Sequence, residues 1–257
     1  MAMSPLEQFT VTRIGPPLHL FGYDVSFTNS ALWMCIVAGS AAILLTAGAS
    51  SRRLVPTRLQ SIVEMSHSMI GNMLTSACGV EGLKFFPFVF TVFFFVLFAN
   101  MYGLMPLGLY PPIGPFTVTS HIVVTFALAI FIFLMVILIG IFRNGFAFFR
   151  IFTPNVPWWM LILLVPIEIF SFCSRPISHS VRLAANMMAG HTMLNVFGGF
   201  VIAIAAAGGA LSFLSIAPLV AISAVSALEF LIGFLQAYVF AILTCIYLND
   251  ALHPPHH

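Results

Sequence analysis

The chain has 257 residues, 61% of them hydrophobic and only 6% charged. A soluble globular domain carries roughly 25% charged residues, so nine Lys and Arg with seven Asp and Glu cannot coat a water-facing surface of this size. Lipid must solvate most of the exterior, and a net charge of +2 gives no basic surface for nucleic acid.

In chain order, residues 1–24 are mixed in character and contain Pro5, Pro16 and Pro17, which fits a short tail. Neither a cleavable signal peptide nor an Arg-rich transit peptide is visible there, and no internal repeat follows. Residues 25–51 form the first charge-free stretch, with a span at about Ala31 to Ser50 that ends at Arg52, Arg53 and Arg58. Pro56 opens the next segment, 56–79, where Leu59, Ile62, Val63, Ile70, Met73, Leu74 and Ala77 recur at helical spacing, with Gln60, Glu64 and His67 elsewhere. It is less apolar than its neighbours and reads as an amphipathic helix lying on the membrane surface.

Residues 85–142 hold no Asp, Glu, Lys or Arg, room for two spans near 85–105 and 117–142. The turn between them is marked by Pro106, Pro111, Pro112, Gly114 and Pro115. Arg143, Arg150, Pro154 and Pro157 close this region. In 158–249 the charges are Glu168, Arg175, Arg182 and Glu229, and Gly198, Gly199, Gly208, Gly209 and Pro218 mark a break between 198 and 218. Two helices of about 35–40 residues would each run about 55 Å. The hydrocarbon core is only about 30 Å thick, so such helices tilt steeply. Three ordinary spans is the alternative. The fold class expected is an all-α integral membrane protein of about five membrane-embedded helices plus one interfacial amphipathic helix, in a single membrane domain.

With the N-terminus outside, Arg52, Arg53, Arg58, Lys84, Arg143 and Arg150 fall on the inner side and only Arg13 outside, a positive-inside bias. Asp250 and His253 are then inside as well. Cys35, Cys78, Cys173 and Cys245 are scattered without a CxxC pair, which fits small apolar helix residues rather than disulfides or zinc.

Arg182 sits deep in an apolar segment, and 46 charge-free residues separate it from Glu229. A guanidinium stays charged in proteins, and a charge at mid-span costs about 2.5–3.5 kcal/mol on the insertion scale. A carboxylate, water or polar crevice must compensate. Glu168, Arg175 and Arg182 are spaced by seven and share a face within about 40°. His179 and Asn186 lie near that stripe. His191 lies about 180° round and about 13 Å along from Arg182. Glu229 and Gln236, also seven apart, share a face of the next helix, with Gly233, Ala237 and Ala241 as a small-residue packing ridge.

Bland readings compete for several of these. Arg175 suits a side chain that snorkels to headgroups, Glu168 an interfacial or capping charge, and His179 a hydrogen-bonded packing residue. Arg182 and Glu229 are too deep for such roles and mark function. A fixed cation with titratable His and Glu on separate faces suits proton transfer through water-filled half-paths; the residues alone stop at proton or ion conduction.

The stretch SRPISHSVRLAANMMAGH at Ser174–His191 resembles the signature of the a subunit of F-type ATP synthase. LQAYVFAILTCIYLNDA at 235–251, SPLEQF at 4–9 and FTVTSH at 116–121 resemble the end, start and middle of its mitochondrial form. The resemblance implies that Arg182 is the essential arginine facing the carboxylate of a rotating c-ring. It implies that His191 and Glu229 line the half-channel open to the intermembrane space; in many bacterial relatives these two residue types are exchanged. Gln236 then packs near the arginine, Asn186 lies beside the path, Glu168 belongs to the matrix half-channel and Asp250 stands near the matrix exit.

Two positions depart from the pattern: Ala184 stands where many relatives have Phe, and His179 where a small or apolar residue is common. The partners implied are the c-ring, the peripheral stalk and other F-o subunits, a lipid bilayer with cardiolipin, and the transported protons, with no cofactor and no metal. The location implied is the mitochondrial inner membrane, or alternatively an alphaproteobacterial inner membrane. No P-loop GxxxxGK[ST] occurs, so a nucleotide site is not expected. A haem-binding electron-transfer subunit would need paired axial histidines. A secondary transporter would need repeated halves. Neither pattern is visible.

Overall fold

The computed structural model describes residues 11–14, 19–20, 23–24, 26–50, 55–104, 117–145, 148, 151, 157–206, 208 and 213–252. The motif at 4–9, Arg52, Arg53, the Pro-rich turn of 106–115, Arg150, Pro154, Gly209 and His253 lie outside them. The described chain is almost entirely helical: α1 (Asn29–Ser50), α2 (Arg58–Gly82), α3 (Phe86–Leu104), α4 (Ile122–Asn144), α5 (Trp158–Ala206) and α6 (Ile216–Leu252). Five helical stretches among the described residues are long and apolar enough to cross a bilayer, with Arg58–Leu104 counting as one. The protein is an all-α integral membrane protein.

The N-terminal segment departs from the expected tail. Strands β1 (His19–Leu20) and β2 (Tyr23–Asp24) pair antiparallel with His19 opposite Asp24, and Arg13 bridges Thr28. Backbone bonds tie Ile14 to Phe27 (2.8 Å) and Asn29 to Thr12 (3.0 Å), fastening the segment to the start of α1.

Helix α2 begins with Thr57 as its cap, whose hydroxyl accepts from the Gln60 backbone N–H at 3.3 Å. Its buried positions include Gln60, Ile70, Met73, Leu74 and Cys78, while Leu59 and Ile62 are exposed. The predicted apolar face is therefore rotated in the first turns. Gln60 tolerates burial because its amide donates to Glu64 Oε1 at 2.8 Å. Gly79, at φ 67°, supplies the left-handed residue that bends the chain toward the 3-10 turn Leu83–Phe85 and α3. His67 then packs on Phe86 (ring centroids 4.4 Å apart), from which a ladder of rings continues to Phe90 and Phe94.

Helix α5 has 49 residues and α6 has 37, about 73 and 55 Å at 1.5 Å per residue, against about 30 Å of hydrocarbon. The break between them falls after Ala206, so the two-helix reading holds over three ordinary spans. Gly198 and Gly199 lie within α5, and Pro218 sits in the first turn of α6. Pro166 and Pro176 lie inside α5, where each removes a backbone donor.

The helices pack as two units. One comprises Met1–Ala41, Phe95–Ile122 and Leu183–Gln236; the other Ala42–Phe94, Val123–Arg182 and Ala237–His257. In the first, Trp33 and Val37 of α1, Val96 and Ala99 of α3, and Leu183 and Met187 of α5 are buried. In the second, Val136, Phe148, Phe172, Tyr247 and Ala251 form the core. On α4 the buried positions Thr125, Ala129, Ile132, Val136 and Gly140 recur every three or four residues, one face of a helix.

Candidate functional site

Within the first unit, α5 and α6 bring His191 and Glu229 to neighbouring positions. Both are buried, at 9% and 8% exposure. Glu229 reaches across α5 at Gly190: a Cβ there would lie 2.6 Å from the Glu229 carboxyl carbon. Only glycine leaves room for the carboxyl group one residue from His191. On the other side, His191 Nε2 lies 2.9 Å from the hydroxyl of Thr117, in the extended residue that precedes the 3-10 turn Val118–Ser120. Asn100 of α3 is fully buried and donates from Nδ2 to the Gly233 carbonyl of α6 at 2.9 Å. Glu229 Oε2, Asn100 Oδ1 and Thr119 Oγ1 are buried without a hydrogen-bond partner among the described residues. Polar atoms left so in a low dielectric are costly, and all three lie in the first unit.

Arg182 and Asn186, four residues apart on α5, are exposed, whereas Leu183, Ala184 and Met187 are buried. No described carboxylate lies within salt-bridge distance of the Arg182 guanidinium, and His191 is buried, in line with its predicted position on the opposite face of α5. Gln236 is buried on α6. Glu168 is half-buried in the first third of α5 and has no ion pair among the described residues. Its shared helical face with Arg175 and Arg182 thus does not join the three into one cluster.

In the second unit, Arg175 pairs with Asp250 of α6 at 3.1 Å. Its guanidinium also lies over the rings of Phe172 (5.6 Å) and Tyr247 (5.3 Å). The Tyr247 hydroxyl is 2.8 Å from Nε2 of His179, whose ring also packs on Phe240, as expected of a hydrogen-bonded packing residue. Beside them a cavity of about 20 Å³, lined in part by Pro176, His179, Thr244 and Tyr247, has room for one water and no larger ligand. Arg143 pairs with Glu81, and the Asn144 amide donates to the Ala251 carbonyl at 2.6 Å near the end of α6. The ends of α2, α4 and α6 and the body of α5 are thereby tied by polar contacts at one end of this unit. Ala237 and Ala241, two members of the small-residue ridge, are fully buried as packing positions. Among the described residues no three His, Cys, Asp or Glu side chains converge as metal ligands would.

The family described as ATP synthase A chain matches residues 31–249. The chain belongs to that family. ATP synthase subunit a of Maricaulis maris (strain MCS10) is 52% identical over 255 residues, covering 98% of each chain. The protein of the same name from Afipia carboxidovorans is 51% identical over 253 residues, covering 98% of this chain and 99% of its own. That of Mesorhizobium japonicum is 52% identical over 255 residues, covering 99% and 98%. As an ATP synthase A chain, the protein is the stator subunit a of the proton-translocating membrane sector of an F-type ATP synthase, alongside the c-ring and other F-o subunits. These relatives are bacterial, which favours a bacterial inner membrane.

Sequence reasoning did not single out Thr117, Asn100, Gly190 or Tyr247. Asn100 was the findable one, an amide alone in the charge-free 85–105 run. The other three act through tertiary approach and leave no periodic signal.

Proposed function

We propose that the chain forms two proton half-channels against the c-ring and couples proton flow to ring rotation. Protons enter by Glu229 and His191 and neutralise a rotor carboxylate. As the ring turns, that carboxylate meets Arg182, is held ionised, and its proton leaves past Glu168 toward the inner side, with Asp250 near the exit. Gln236 packs near the arginine and Asn186 lies beside the path.

The observation that carries this reading is Arg182: an exposed, permanently charged side chain on an apolar helix, with no carboxylate of its own among the described residues. Its counter-charge then comes from another chain. Attraction between unit charges at ~4 Å is about 4 kcal/mol at an effective dielectric of 20, enough to favour an ionised carboxylate and weak enough to let it move on. The buried His191 and Glu229, with unpartnered oxygens around them, suit a hydrated uptake path on another face.

The N-terminus is read as outside and the C-terminus inside. The contacts among Glu81, Arg143, Asn144, Arg175, Asp250 and Ala251 support this, because they gather helix ends assigned to the inner face. Helices α5 and α6 are read as steeply tilted, α2 as interfacial, and the peripheral stalk and cardiolipin as further partners. The mitochondrial inner membrane, the location first expected from the resemblance, would place the uptake path on the intermembrane-space side. Purification in mild detergent tests the assembly: a ring of small two-helix subunits should accompany the chain, and its consistent absence would refute the proposal.

A further inference from the structure

The geometry points to Thr117 as a positioning residue that holds the His191 imidazole in its working orientation. The inference rests on the reading of His191 as part of the proton uptake path. Thr117 is 5% exposed, and its hydroxyl lies 2.9 Å from His191 Nε2. A neutral imidazole carries one donor and one acceptor nitrogen, and an imidazolium carries two donors. Where Nε2 is the nitrogen that gains and loses the proton, a fixed donor or a fixed acceptor would satisfy it in only one of these states. A threonine hydroxyl can rotate to donate to a bare nitrogen or accept from a protonated one, so it partners the ring through a full protonation cycle.

The local backbone is built to present this hydroxyl. Thr117 is extended (φ −87°, ψ 102°), and its carbonyl is occupied by the Ser120 backbone N–H (3.1 Å) and the Ser120 hydroxyl (2.7 Å). Its side chain is left to turn toward α5. Its methyl group lodges against Gly103 of α3, where a Cβ would come within 2.5 Å of Thr117 Cγ2. Gly103 therefore admits the threonine side chain, whose hydroxyl reaches His191. The titratable group facing the same stretch of α5 from α6 is Glu229, lying over Gly190.

The test is passive proton conduction in membrane vesicles stripped of the soluble sector, normalised to the amount of assembled complex. Thr117→Val keeps the shape and removes the hydroxyl; it should slow conduction about tenfold. Thr117→Ser keeps the hydroxyl and should stay within about twofold of the unaltered chain. If valine hinders assembly, Thr117→Ala compared with Thr117→Ser decides, since the two differ by one oxygen. Equal conduction by the hydroxyl and non-hydroxyl variants, with His191→Ala impaired, would overturn the positioning role alone. Unimpaired conduction in His191→Ala as well would overturn the uptake path on which it rests.

Discussion

Replacing Gly190 by alanine separates the path from the fold. The new Cβ would lie 2.6 Å from Cδ and 3.0 Å from Cγ of Glu229. Glu229 Oε1 would be closer still, and ordinary contacts begin at about 3.5 Å, so the carboxyl group must move by more than about 1 Å. Glu229 is buried and has one oxygen without a hydrogen-bond partner among the described residues, so it can yield without breaking a bond described there. The collision therefore displaces the acid more than it destabilises the helix. Alanine in a helix interior is itself favoured over glycine by about 1 kcal/mol. Gly190→Ala should assemble in normal amounts, yet a misplacement of about 1 Å at a reacting group can cost ~100-fold in rate, so proton transfer through the Glu229 path, in either direction, should fall between about 10- and 100-fold. ATP-driven proton pumping by membrane vesicles, scaled to assembled complex, measures it. Pumping at the unaltered rate by a fully assembled Gly190→Ala complex would refute the argument that Glu229 occupies that space for proton transfer.

Other substitutions probe the supports. Arg175→Asp or Asp250→Arg alone should lower the thermal stability of the detergent-solubilised complex, and the exchanged pair should restore part of it, with a coupling of about 1 kcal/mol in a double-mutant cycle. Zero coupling would mean that the 3.1 Å pair stabilises nothing. Asn100→Leu removes the amide that bonds the Gly233 carbonyl and should cost about 1–3 kcal/mol, read as earlier thermal inactivation. An unchanged inactivation temperature would contradict that contact.

Much of the architecture follows from the spacing of charges in the sequence. The charge-free runs fix where α3 and α4 lie, and the excess length of the last two apolar stretches over the bilayer foretells α5 and α6. Arg182 and Glu229 stand out because charge in lipid is expensive. Helical phase, however, says which residues share a face and not what they meet. Arg175 and Arg182 share a predicted face, yet Arg175 is paired with Asp250 while Arg182 is exposed. In α2 the predicted face misses by part of a turn because Gln60, satisfied by Glu64 and Thr57, is buried in place of an apolar residue. Thr117 was illegible for a different reason. It follows the Pro-rich stretch 106–115 of the sequence rather than a periodic segment, and its worth depends on Gly103 and His191, remote in sequence and brought near only by packing.

Arg182→Ala in the assembled synthase, energised by an imposed proton gradient, addresses the exposed cation itself. The complex should assemble with its c-ring and lose coupled ATP synthesis, because the rotor carboxylate no longer meets a fixed positive charge. Normal synthesis by that variant would contradict the account.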